Sequence, residues 1–211
     1  MNLFFDLDGT ISDPFEGITK SMNYALLKCG VKERDSKYLA KYIGPSLRLA
    51  FSELLETNDN ESIMKAIVFF RERYFSLGFK ENELYPNIVE LLSELQRDGH
   101  RLFIVTSKRQ DIAVSVIDYF NLQGYFEAVY GCDVDLSKGD LIEKILRAEG
   151  IEPSDTLMIG DRKFDVEAGR ANGLRTIGIL WGYGDEKELL DAGADHFIEQ
   201  ILDFPKLLAS L

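Results

Sequence analysis

The chain is poor in the side chains most often recruited for chemistry: its 211 residues include two histidines, two cysteines and one tryptophan. Cys29 and Cys132 stand far apart, so the pattern offers neither a disulfide framework nor the close pairs of a zinc site, and it suits a reducing compartment. His100 sits beside Gly99 at the end of a helical pattern, and His196 precedes a short apolar run. Neither lies in a motif, which argues against histidine catalysis. Positive charge is also in deficit, with 24 Lys and Arg against 36 Asp and Glu and a formal charge of −12. Binding a nucleic acid backbone needs clustered Lys and Arg, so no nucleic acid polymer is expected as a partner. Long apolar runs are missing too: no stretch reaches the ~20 residues of a membrane span, and the start Met-Asn-Leu-Phe-Phe-Asp lacks a basic leader. The expectation is a cytoplasmic protein with no membrane contact.

What is present is ordinary for a folded protein. With 45% hydrophobic and 28% charged residues, the chain can form one large domain or a core with a smaller insert. Short apolar runs at Leu3-Phe4-Phe5, Leu102-Phe103-Ile104-Val105, Thr156-Leu157-Met158-Ile159 and Thr176-Ile177-Gly178-Ile179-Leu180 read as strands buried on both faces. Ala128-Val129-Tyr130 and His196-Phe197-Ile198 are weaker candidates. Helical stripes lie between them, at Ile88, Leu91, Leu92 and Leu95 before Gly99, and at Leu141, Ile142, Ile145 and Leu146 before Gly150. This alternation predicts a doubly wound parallel sheet, which binds ligands at the carboxyl ends of its strands.

Residues 14–81 break the alternation. Only helical spacing occurs there: Ile18, Met22, Ala25, Leu26 and Cys29; Leu47, Phe51, Leu54 and Leu55; Ile63, Ile67, Phe70 and Tyr74. The expected organisation is an α/β core of residues 1–13 and 82–211 with an all-helical insert of residues 14–81. Such an insert is either a lid over the end of the first strand or a decoration with no part in the chemistry.

Four groups of polar residues follow predicted strands. Asp6-Leu7-Asp8-Gly9-Thr10 leaves the first; two carboxylates this close repel unless a cation or a shared proton compensates, though acidic turns are common at strand ends. Thr106-Ser107 ends the run at Val105, where hydroxyls and free N–H groups suit either a phosphate oxygen or a helix cap. Lys138 stands at a helix start, where the helix dipole gives a cation no advantage. Gly160-Asp161-Arg162-Lys163-Phe164-Asp165 carries two carboxylates from a strand tip onto the first turn of a helix, a spacing that suits Mg²⁺.

The order of these groups resembles the haloacid dehalogenase superfamily over almost the whole chain, with residues 14–81 matching its mobile cap. Ile43-Gly44-Pro45-Ser46-Leu47, Gly160 to Asp165 and Leu180-Trp181-Gly182-Tyr183-Gly184 resemble phosphoglycolate phosphatases and 5′-nucleotidase-like relatives. The resemblance implies a phosphatase of small-molecule phosphate esters. Asp6 would be the nucleophile and Asp8 the acid and base, while Thr106, Ser107 and Lys138 would hold the phosphoryl oxygens. Mg²⁺ would be bound by Asp6, Asp161 and the backbone carbonyl of Asp8, and Asp165 would orient Lys138 or a metal-bound water. Gly44 and Arg48 of the cap would select the substrate, with Lys20 and Lys108 as weaker candidates, and Trp181 and Tyr183 would shape a loop. An acid at position 8 favours phosphoryl transfer over dehalogenation, because a halide leaves without a proton. Two alternatives stand beside this reading. A sugar phosphomutase of the β-phosphoglucomutase type often uses a cap histidine, and residues 14–81 contain none. A non-catalytic regulatory protein on the same fold would be expected to lack at least one of Asp6, Asp8, Asp161 and Asp165.

Overall fold

The structure, a computed structural model, describes residues 1–132 and 136–211. The chain divides into two compact units, Pro14–Glu83 and the combination of Met1–Asp13 with Leu84–Leu211.

The first unit is helical, with α1 (Phe15–Lys28), α2 (Ser36–Leu39), α3 (Leu47–Leu54) and α4 (Asn60–Ser76). Most of the apolar stripes read from the sequence are faces it buries: Ile18, Met22, Ala25 and Leu26 of α1, Phe51 and Leu54 of α3, and Ile63, Ile67, Phe70 and Tyr74 of α4; Cys29, Leu47 and Leu55, at the ends of their stripes, are only half-buried. Phe70 meets Phe51 edge-on at 6.1 Å and stacks on Tyr74 at 5.3 Å. Side-chain caps satisfy orphan amides at the starts of α3 and α4. Ser46 accepts from Leu49 N–H, and Asp59 accepts from Ser62 N–H at 2.8 Å. A half-buried fork from Arg73 to Glu81 (2.7 and 3.0 Å) ties the end of the unit to α4.

The second unit is built on a parallel sheet. Its strands are β1 (Asn2–Phe5), β4 (Arg101–Thr106), β5 (Ala128–Gly131), β6 (Thr156–Gly160), β7 (Arg175–Ile179) and β8 (His196–Ile198). Two-residue strands β2 (Ser12–Asp13) and β3 (Glu83–Leu84) lie where the chain passes from one unit to the other. The sheet order is β5-β4-β1-β6-β7-β8, and every adjacent pair is parallel. Helices α5 (Ile88–Arg97), α6 (Gln110–Tyr119), α7 (Lys138–Glu149), α8 (Lys163–Ala171), α9 (Glu186–Asp191) and α10 (Phe204–Leu208) complete the unit. This is the doubly wound architecture that the apolar runs predict.

Both faces of β1 are covered, which is why Leu3, Phe4 and Phe5 follow one another without a polar break. Phe4 meets Phe103 edge-on at 5.4 Å in a cluster with Ile142 and Ile145 of α7 and Ala168 of α8. Phe5, pointing the other way, lies against Phe204 of α10 at 5.9 Å. The connections run outward from β1 to β4 and β5 on one side and to β6, β7 and β8 on the other, so strand order reverses at β1. Such a reversal opens a crevice at the carboxyl ends of β1, β4 and β6. Among the described residues no helix is long and apolar enough to cross a membrane.

Candidate active site

Asp6 is the first residue beyond β1. Its N–H donates to Ile159 O at 2.9 Å, which prolongs the ladder with β6 by one step and fixes the side chain at the crevice. The chain then turns sharply: Leu7 O accepts from the N–H groups of Thr10, Ile11 and Ser12. Gly9 makes the turn with φ +86°, and a Cβ there would collide with the Asp161 carboxylate. Gly160, the last residue of β6, has the same relation to Asp165: any side chain would occupy the place of that carboxylate. Two glycines thus let backbone close on two buried acids.

Asp161 follows β6 directly and is fully buried. Its Oδ2 accepts from Tyr183 N–H at 2.8 Å, and Thr10 Oγ1 lies 3.5 Å from its Oδ1. Asp165, on the first turn of α8, accepts from Arg162 N–H at 3.0 Å and so caps its own helix. Arg162 is in turn held by Glu188 of α9 at 2.8 Å. Lys138, the first residue of α7, is presented by a capping box between Ser137 and Asp140. Its ammonium is 2.8 Å from Asp6 Oδ1 and bonds Asp165 Oδ1 as well.

Carboxylate oxygens of Asp6, Asp161 and Asp165 all lie within 4.8 Å of one another, and all three residues are buried. Three acids around one ammonium leave an excess of negative charge out of water. Burial drives the Asp161 carboxyl well above its usual range, and Asp165 and Asp6 push it further. Burial also raises Asp165, to about 6, against the opposing pull of Lys138. Lys138 is raised although burial opposes it, because Asp165 and Asp6 outweigh that cost. An all-oxygen donor set with surplus negative charge fits a hard divalent cation, which would relieve the repulsion.

Beside this cluster is a second arrangement. Asp8 Oδ2 lies 2.7 Å from Lys108 Nζ, with both side chains largely buried. Asp8 Oδ1 is buried and without a hydrogen-bond partner among the described residues. Burial raises the Asp8 carboxyl, the lowering effect of Lys108 is insufficient to cancel it, and Asp6 adds to the rise. Thr106 closes β4, is buried, and accepts from Lys108 N–H at 3.3 Å through Oγ1. Ser107 is exposed. Lys108 is placed in the crevice by β4 lying next to β1, whereas its sequence context makes it only a weak candidate for substrate contact. The available signal was its place two residues beyond a strand end that already carried Thr106.

The loop after β7 fastens the site from the side. Trp181 Nε1 donates to Thr10 O at 3.1 Å, and the Tyr183 hydroxyl donates to the Asp13 carboxylate. Both residues shape a loop, as their sequence context suggests. Gly44 and Arg48 belong to the helical unit. Gly44 has φ +102°, while Arg48, on α3, donates to Asn60 Oδ1 and reaches Met64 Sδ at 3.6 Å. Arg48 also lines a cavity of about 360 Å³ with Ser46, Leu49, Ser52, Asn58 and Ile63. Lys20 is paired with Glu16 and, at 3.5 Å, with Glu81. Cys29 and Cys132 form no disulfide.

A family model described as haloacid dehalogenase-like hydrolase matches residues 3–179. The chain is 36% identical over 212 residues to a 5′-nucleotidase of Pseudomonas aeruginosa, covering 99% of this chain and 96% of that protein. It is 31% identical over 184 residues to a phosphoglycolate phosphatase of Aquifex aeolicus, covering 86% of this chain and 85% of that protein. The crystal structure of a predicted phosphatase from Clostridium acetobutylicum superposes with a TM-score of 0.95 at 35% identity, over 100% of this chain and 98% of that one. The chain belongs to the haloacid dehalogenase-like hydrolases.

Proposed function

We propose that the chain is a Mg²⁺-dependent phosphatase that hydrolyses small-molecule phosphate monoesters through an aspartyl-phosphate on Asp6. The observation that carries this reading is the convergence of three buried carboxylates, two of them bonded to Lys138, beside an Asp8 oxygen that has no partner among the described residues. The names of the two curated relatives support it.

The uncatalysed reaction is slow enough that roughly 20 kcal/mol of barrier lowering is needed, and a covalent intermediate divides that demand. In the first step an Asp6 oxygen bonds to phosphorus as the ester oxygen leaves and takes the proton of Asp8. In the second, water bonds to phosphorus, the Asp6 oxygen leaves, and Asp8 receives the water proton. Lys138, Thr106 and Ser107 hold the remaining phosphoryl oxygens, and Asp165 keeps Lys138 in place. Asp6, Asp161 and the backbone carbonyl of Asp8 are the residues assigned to hold Mg²⁺. When bound, the ion neutralises charge between nucleophile and phosphate. Lys108, Lys138 and a bound cation would together offset the four carboxylates of the crevice, which answers how a chain of net charge −12 can hold an anionic ester.

The helical unit is assigned the part of cap, with Gly44 and Arg48 as selectors. Nucleoside 5′-monophosphates are the first class to test, given the relative matched over 99% of the chain, and phosphoglycolate the second. The experiment is a panel of esters assayed with Mg²⁺ and with chelator, ranked by kcat/KM. Hydrolysis that chelator abolishes and Mg²⁺ restores supports the reading. No cleavage of any ester, an activated aryl phosphate included, contradicts it.

A further inference from the structure

The two oxygens of Asp8 stand in different surroundings. Oδ2 receives the Lys108 ammonium at 2.7 Å, whereas Oδ1 is buried and unpartnered among the described residues. A carboxyl group that gives up a proton from one oxygen is best held through the other. Held at both, it could not reach a substrate; held at neither, it would rotate about its terminal torsion, which is broad for Asp.

Lys108 is itself held firmly. Its N–H donates to Thr106 Oγ1 at 3.3 Å, and its carbonyl accepts from Cys132 N–H at 2.9 Å. Gly131, which closes β5, lets the backbone approach this closely: a Cβ there would lie 2.5 Å from Lys108 O. The ammonium therefore projects from a segment braced by two strands, and its side chain is 8% exposed.

We propose that Lys108 is a positioning residue for proton transfer, fixing Asp8 through Oδ2 so that Oδ1 is the oxygen that protonates the leaving group. The inference rests on the phosphatase reading. In the first step Oδ1 loses its proton to the ester oxygen as the phosphorus–oxygen bond breaks. In the second Oδ1 takes a proton from the attacking water, which restores the acid. Lys108 exchanges no proton with the substrate and keeps its charge throughout.

The test compares an alkyl phosphate, whose alkoxide must be protonated to leave, with an activated aryl phosphate, whose phenoxide leaves without a proton. For Lys108→Met, kcat/KM is expected to fall roughly 100-fold on the alkyl ester and less than about tenfold on the aryl ester, in line with the usual worth of a general acid. Lys108→Arg, which restores the charge, should recover part of the alkyl loss. In an Asp8→Asn background, adding Lys108→Met should cost less than about threefold, because the two residues act as one unit. Lys108→Gln carries the same test if Lys108→Met does not fold. Equal losses on both esters, a rise in KM alone, or a full additional loss in the Asp8→Asn background would overturn the proposal. Failure of the phosphatase reading is distinguishable, since the wild type would then cleave neither ester, and the proposal would fall with it.

Discussion

Lys138 and Lys108 both point buried ammonium groups at aspartates in one crevice, yet the two places are built differently. Lys138 bonds Asp6 and Asp165, with Asp161 alongside in a group of three buried acids. Lys108 meets Asp8 at 2.7 Å through Oδ2, and Asp8 stands outside that group. The first place gathers three carboxylates and suits a divalent cation; at the second, one Asp8 oxygen is held by an ammonium and the other has no hydrogen-bond partner among the described residues, which suits a group that must gain and lose one proton. Two lysines set against aspartates can thus serve different ends, according to how the carboxylate oxygens around them are arranged.

The largest effect that would sharpen this contrast is expected at Asp6. Asp6→Asn should lower turnover on every ester by on the order of 10⁴-fold or more, since the proposed intermediate forms on Asp6. A loss under about tenfold in steady-state rates would break the division of roles. Asp8→Asn comes next, with a loss of roughly 10²–10⁴-fold that is steepest for alkyl esters. Mg²⁺ affinity by titration calorimetry should stay within a few-fold of wild type, because the Asp8 side chain stands outside the three-acid group.

A pH experiment separates the two places without activity. Asp161 is raised well above the usual 3.8, and Asp165 is raised to about 6. In the metal-free protein the folded state therefore holds protons that the unfolded chain has already lost. These groups contribute less stability as pH rises from about 4 through 6 and beyond. Asp161→Asn keeps the acceptor for Tyr183 N–H and removes the charge. Its Tm should exceed that of the metal-free wild type at pH 7, the gap should close towards pH 4, and Mg²⁺ should raise the wild type more. A gap that is constant with pH would contradict the charge surplus. The smallest effect belongs to Arg48, on α3 of the helical unit. Arg48→Ala should shift the kcat/KM ratio between two esters by about tenfold, the worth of one charged hydrogen bond, with stability changed by about 0.5 kcal/mol or less. Unchanged ratios would remove Arg48 from the selectors.

Much of this was readable along the chain because local rules decide it. Strands covered on both faces must be apolar throughout, so β1, β4, β6 and β7 announce themselves, and the three helical stripes of residues 14–81 follow from 3.6-residue spacing. Asp6, Lys138, Asp161 and Asp165 could be singled out because each follows a strand or opens a helix. The Lys108 pairing was not readable, since it depends on β4 lying beside β1 across a hundred residues of chain. The collisions waiting at Gly9 and Gly160 are long-range facts of the same kind. So is the seat of Phe5 on Phe204 of α10, a five-residue helix too short to show a period.

The central claim is that a phosphoryl group passes through Asp6, and it can be read chemically. Borohydride reduces an acyl phosphate to an alcohol, so quenching the working enzyme with borohydride should convert Asp6 to homoserine, seen by peptide mass spectrometry only when ester and Mg²⁺ are both present. Homoserine at another aspartate, or none at any position while ester turns over, would contradict the account.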